Sequence, residues 1–293
     1  MRTMEKLFAT LASFVVLGSC LLLSDSAAHA ATYVSIDVPG ATFTRAYGIN
    51  DTGQIVGDYL DSSGRLHGFR LSGGRFTKIN VPGSDGTTDA RGISDNGLIV
   101  GQYEQSFIYG FLRQRGSYTK IQYPSAQLTF ARGINHAGQV VGYYVKNILH
   151  DPRTHGFVFS GGVYTTLDID NSVTEPNGIN NLGDIVGTYW DGSCTPSCMR
   201  GMVLTDGVFQ SIDFPEATAT SAFGISSDKR IVGSYSRNGS EPFRGFALTR
   251  GKFQTIQFPH AKSTDCYGVN SAGDIVGIYT DSNSINHGFL RIK

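Results

Sequence analysis

"GINDTGQIVGDY" at residues 48–59 is written five more times: GISDNGLIVGQY (92–103), GINHAGQVVGYY (133–144), GINNLGDIVGTY (178–189), GISSDKRIVGSY (224–235) and GVNSAGDIVGIY (268–279). The leading glycines are separated by 44, 41, 45, 46 and 44 residues. A period of 40–45 residues with strand patterning is what a four-stranded propeller blade needs. The first unit divides into the strand-length pieces RAYGI, QIVGDY, LHGFRL and RFTKINV. No long run has a 3.6-residue apolar period, and Gly, Asn and Pro interrupt too often for helices.

The apolar columns explain the repetition. Ile49, Ile93, Ile134, Ile179, Ile225 and Val269 share one position; Val56, Val100, Val141, Val186, Val232 and Val276 share another. A lone sheet leaves such a face wet. Burying a Val or Ile is worth roughly 1.5–3 kcal/mol, so stacking like sheets recovers that burial at every interface. Small residues (Ala46, Ala90, Ala131, Pro176, Ala222 and Cys266) recur on the innermost strand, so Cys266 reads as a packed core thiol. Asn50–Gly53 and its equivalents suit a type I turn, with Asn first and Gly fourth. The fifth unit has Ser226-Ser227-Asp228-Lys229 there, and that hairpin is expected to be weaker.

The ends predict closure. The last unit stops at HGFLRIK without a fourth strand, whereas TYVSIDVPGA near the start matches the fourth strands FTKINVPGS and FQSIDFPEA. The expected fold is an all-β, six-bladed β-propeller of four-stranded antiparallel blades over residues 31–293, its ring closed by the N-terminal strand. Residues 1–30 read as an export signal: Arg2 and Lys6, an apolar stretch, then small residues at Ala28 and Ala30. A lipobox ending at Cys20 and an uncleaved anchor are the alternatives. No later stretch approaches the ~20 apolar residues of a membrane span. The expected location is therefore outside the cytoplasm, secreted, periplasmic or at the cell surface. Cys194 and Cys198, in GSCTPSC, are expected to form a local disulfide there.

The GIN…G..VG phrase and the tripeptides His67-Gly68-Phe69, His155-Gly156-Phe157 and His287-Gly288-Phe289 resemble the HAF-type extracellular repeats of bacteria. Tyr109, Arg200 and Arg244 replace the histidine in the other units. The resemblance covers about residues 32–293. It implies an exported protein and supplies no catalytic residues.

Chemistry is harder to find. The chain of 293 residues balances 24 basic against 24 acidic side chains, without the basic excess that a nucleic-acid partner requires. There is no G-x-S-x-G, no Walker loop, no calcium loop (DSNSIN at 281–286 lacks the glycine and closing glutamate), and no metal or cofactor motif. The three repeated histidines fall on third strands of different blades, away from the axis, and read as structural. Variation is confined to one side, where the second-to-third connections and the blade-to-blade connections lie. The inner strands start there with Arg45, Asp89, Arg91, Arg132, Glu175 and Asp265, and with Tyr47, Phe223 and Tyr267. With Trp190, placed in the long fourth-unit loop region, these are the candidate ligand-binding residues: aromatics for stacking and charges for orientation. The plainer reading is a set of paired, hydrated charges filling the channel. The expected function is a monomeric, non-catalytic propeller binding a polysaccharide, a cell-surface component or a protein. A polysaccharide- or peptide-acting hydrolase or lyase on the same face is the alternative, and a purely structural module a third.

Overall fold

The computed structural model describes residues 31–169, 172–192, 198–238 and 243–293. The expected export signal (1–30), and Cys194 with its expected bond to Cys198, lie outside these residues. The described chain is all β. The six innermost strands are Phe43–Ile49, Thr88–Ile93, Leu128–Ile134, Thr174–Ile179, Ala219–Ile225 and Ser263–Val269. Each opens a four-stranded antiparallel blade, numbered one to six here in that order. Blade six is completed by Thr32–Ile36, which pairs antiparallel with Asn286–Ile292 in the register Thr32↔Ile292 to Ile36↔Gly288. The first strand of the described chain thus latches onto the last, as the matched ends predicted, and the fold is a closed six-bladed β-propeller.

Glycine columns set how closely the blades approach. A Cβ on Gly224 would lie 2.5 Å from the Tyr267 carbonyl oxygen of the next blade, and one on Gly268 2.7 Å from that of Tyr47. The same contact runs round all six blades, so the leading glycine of each repeat marks a backbone-to-backbone ring about the axis. Within each blade, Gly57 and its equivalents face the inner strand; a Cβ there would meet the Arg45 carbonyl at 1.9 Å. Over this column sits a fully buried side chain in every blade: Phe69, Phe111, Phe157, Met202, Phe246 and Phe289. Each contributes roughly 1.5–3 kcal/mol of burial.

The small-residue column reports close packing between adjacent blades. Ala46 and its equivalents do not line the axis; they meet the third-strand glycine of the preceding blade. A Cβ on Gly110 would lie 3.2 Å from that of Ala131, and one on Gly245 2.5 Å from the Cys266 sulfur. Cys266 is fully buried, and that burial pushes its thiol well above the usual range.

The turns reveal why Asn or Ser leads them. Asn50 accepts the Gln54 amide through Oδ1 at 2.9 Å, while its Nδ2 donates to the Ser94 carbonyl of the next blade at 3.0 Å. Asn135 and Asn180 repeat both bonds. The fifth turn keeps the backbone bond (Lys229 N to Ser226 O, 2.9 Å), and Ser226 Oγ accepts the Arg230 amide, but serine has no amide to donate to the next blade and Lys229 sits at φ 61°, where the other blades have glycine. A side chain in that region costs about 1–2 kcal/mol, the physical basis of the expected weakness.

In blades two and three the varied connections are short. In blade two, Ser106 alone, at φ 63°, separates Ile99–Gln105 from Phe107–Gln114. In blade three the hairpin extends to Asn147 and resumes at Asp151, with Ile148 and Leu149 exposed at its tip. The third-strand histidines are structural clamps. His67 lies 2.8 Å from Asp61 and 3.0 Å from Asn80; His155 lies 2.8 Å from Asp168, and His287 2.7 Å from Asp37. Arg200 takes the same place in blade four, held by Asp191 and Asp213. In DSNSIN, the Asp281 carboxylate is occupied by the amides of Asn283 and Ile285.

Candidate functional site in the axial channel

Each inner strand carries one β-bulge, immediately before its axial glycine: the register shifts between Ala46 and Gly48, and equivalently in all six blades. A bulge leaves one residue outside the ladder and re-aims its side chain. The six residues so displaced are Tyr47, Arg91, Arg132, Asn177, Phe223 and Tyr267. Together with Glu175 they line one axial cavity of about 190 Å³. Further along the axis, past the glycine ring, the space lined by Ile49, Ile93, Ile134, Ile179, Ile225, Val269 and the turns shrinks to about 60 Å³. The usable volume is therefore at the end where the inner strands begin.

The ring divides into two arcs. Blades five, six and one supply aromatics: Phe223 stacks on Tyr267 (centroids 4.6 Å apart, 21°), and Tyr267 meets Tyr47 edge-on at 5.0 Å. Blades two, three and four supply Arg91, Arg132, Asn177 and Glu175. The Arg91 guanidinium lies 3.7 Å from the centre of the Tyr47 ring and joins the arcs on one side. Such a contact is worth about 0.5–2 kcal/mol, more when desolvated. On the other side, the Asn177 amide nitrogen donates to the Ala222 carbonyl at 3.2 Å. That leaves the Asn177 carbonyl oxygen for the cavity.

Behind the ring, neighbouring carboxylates hold the charges, one across a strand pair and one on the same strand. Arg45 grips Asp58 with two bonds of 2.7 and 2.6 Å, and Arg91 holds Asp89 at 2.6 Å. Burial raises the Asp58 carboxyl, with the nearby Asp89 charge adding to it and Arg45 opposing. Burial also lifts Glu175, against the pull of Arg132, and moves Asp265 up to about 6 despite a hydrogen bond from Ser234. Tyr47 and Tyr267 are pushed up by burial as well. Arg132 donates to the Tyr143 hydroxyl, and its Nε is buried without a hydrogen-bond partner.

Of the candidate residues, Tyr47, Arg91, Arg132, Glu175, Phe223 and Tyr267 line the cavity. Arg45, Asp89 and Asp265 lie on the same strands outside its lining. Trp190 is not in a loop. It sits on the second strand of blade four, Ile185–Asp191, opposite Met199, and does not line the cavity. Asn177, Asp58 and Tyr143 escaped the sequence reading. Asn177 was findable as the residue before a marker glycine; Asp58 and Tyr143 were findable only through cross-strand register. The plainer reading holds in part: two of the three arginines are paired. The described residues contain no cluster of three or more metal-ligating side chains. No helix among them is long and apolar enough to cross a membrane.

Neither family models nor curated protein sequences give a match to this chain. Solved structures do. The fungal lectin of Aleuria aurantia, a six-bladed β-propeller with a fucose recognition mode, aligns with a TM-score of 0.51 at 14% identity, over 88% of this chain and 90% of the lectin. The same lectin in complex with Fucα1-6GlcNAc gives 0.53 at 13%, over 85% and 91%. A protein described as TolB from Agrobacterium tumefaciens gives 0.57 at 15%, over 85% and 89%. At these identities the likeness concerns the fold.

Proposed function

We propose that this chain is an exported, non-catalytic propeller of the HAF-repeat type that binds a carbohydrate in its axial cavity. The observation that carries the reading is the division of the bulge ring: an aromatic arc faces a polar, charged arc across a space of single-ring size. Sugars offer an apolar face of C–H groups and an edge of hydroxyls, and protein sites for them combine apolar walls with a few placed polar groups. The Aleuria aurantia lectin, of the same architecture, was crystallised with a fucosylated disaccharide, which supports sugar binding by such a ring of blades. The export reading rests on residues 1–30, with their basic start, apolar run and small residues before position 31. A glycan array probed with the full chain tests the function. Binding that Phe223→Ala abolishes, with the fold kept, is the expected result; silence across the array contradicts it.

One observation favours the second reading, an enzyme acting on polysaccharide. Glu175 lines the cavity with its carboxyl raised by burial, as a general acid requires. Asp58 and Asp89, by contrast, are each tied to an arginine and poorly placed as a second carboxylate. Release of reducing ends from a polysaccharide, lost in Glu175→Gln, would establish the enzyme.

A further inference from the structure

Three arginines approach the axis from blades one to three, and they are not equivalent. Arg45 and Arg91 each hold a carboxylate, at 2.6 and 2.5 Å. Among the described residues Arg132 makes no ion pair. Its Nη2 donates to Tyr143, its Nε has no partner, and it lies on the cavity wall. Arg132 is a half-buried guanidinium on the cavity wall with no ion pair in hydrogen-bond reach, and a carboxylate oxygen in the cavity would give it a charge-assisted partner.

The other walls limit what can carry that carboxylate. A cavity of about 150 Å³ holds a benzene ring, so 190 Å³ seats one six-membered ring with substituents and no second ring. Phe223 and Tyr267 offer that ring a wall opposite Arg132, and Asn177 and Glu175 offer hydroxyl partners beside it. Burial raises the Glu175 carboxyl, against the pull of Arg132. We infer that the axial cavity takes a hexuronate, with its carboxylate on Arg132 and its ring against Phe223 and Tyr267. This rests on the carbohydrate reading above and narrows it to acidic sugars, held as a free monosaccharide or as the terminal residue of a chain.

Calorimetric titration of the full chain separates the two claims. The probes are glucuronate, galacturonate, their amides, glucose, galactose and benzoate. Binding of a uronate 10- to 100-fold tighter than its own amide is expected, the range for one charge-assisted hydrogen bond at a desolvated site. Arg132→Gln should bring the two together, and Arg132→Lys should keep part of the difference. Equal binding of uronate and amide by the unaltered chain overturns the inference while leaving the carbohydrate reading intact. Benzoate binding as tightly as a uronate overturns it too, because the site would then read a flat ring and a charge. Failure of every sugar, acidic and neutral, removes the carbohydrate reading itself. The comparison of uronate with amide needs no variant, so a misfolded Arg132 variant does not blunt it.

Discussion

Two adjacent columns on the inner strands behave in opposite ways. The position of Gly48 is glycine in all six blades; the position just before it is Tyr, Arg, Arg, Asn, Phe and Tyr. One residue apart, one column is fixed and the other free, and the bulge is the reason. At the glycine, the backbones of adjacent blades touch around the axis and leave no room for a Cβ. At the preceding residue the ladder is broken and the side chain projects into the roomier end of the axis. Repetition therefore reports where the blades press on one another, and variation reports where they open.

The contrast can be broken most severely at the fixed column. Gly224→Ala places a Cβ 2.5 Å from a backbone oxygen that no side-chain rotation can relieve. It should cost about 3 kcal/mol or more, at or beyond the upper end of overpacking effects, as measured by urea unfolding. A loss below about 1 kcal/mol would mean that the axial contact is slack. Arg45→Ala comes next. It strands the fully buried Asp58 carboxylate without its two hydrogen bonds, and breaking one side of such a pair costs about 3 kcal/mol. Asp58→Asn in the same background should restore part of that stability, and failure to do so would deny the pairing.

Asp265 tests the electrostatics of the channel. Its carboxyl titrates near 6 in the folded protein and near 3.9 in an unfolded chain. Between those values the folded state keeps a proton that the unfolded state has released. Stability therefore falls as pH rises through about 4 to 6, and the loss persists above. Asp265→Asn should remove that slope and gain on the order of 2 kcal/mol at pH 7; matching pH profiles for variant and parent would contradict the assignment. Phe223→Ala, one residue from Gly224, should cost only about 1 kcal/mol in stability, a typical single-site value, while removing ligand binding. A stability loss matching Gly224→Ala would erase the distinction between the columns. The smallest effect is a gain: Lys229→Gly relieves the φ of 61° in the fifth turn and should add about 0.5–1 kcal/mol.

The architecture was legible because it is periodic. Period, turn residues and matched ends specify six blades and their closure, and Tyr33 pairs with Arg291 as the matching of TYVSIDVPGA to a fourth strand requires. The site was legible in outline only. Sequence placed Arg45 and Arg91 together at the channel mouth, yet Arg45 is consumed by Asp58, a partner that lies across a strand pair. Register also decides the cases of Tyr143, which holds Arg132, and Trp190, which strand pairing carries away from the cavity. Asn177 follows Pro176 and looks like part of a turn, although it occupies the bulge position. What alignment of the repeats cannot reveal is which side of a pleat a residue takes once a bulge has intervened, because one inserted residue reverses the alternation.

A competing location exists on the opposite face. Between blades one and two the turns enclose a cleft of about 690 Å³, lined by Arg70, Arg113, Arg115 and Asp95 and without an aromatic side chain. It is roomier than the axial cavity but built from the repeated end of the blades. The most direct test of the account is a crystal structure of the chain soaked with galacturonate. The account predicts a sugar ring in the axial cavity, between Arg132 and Phe223. A sugar ordered only in the Arg70–Arg113 cleft, with the axis empty, would contradict it.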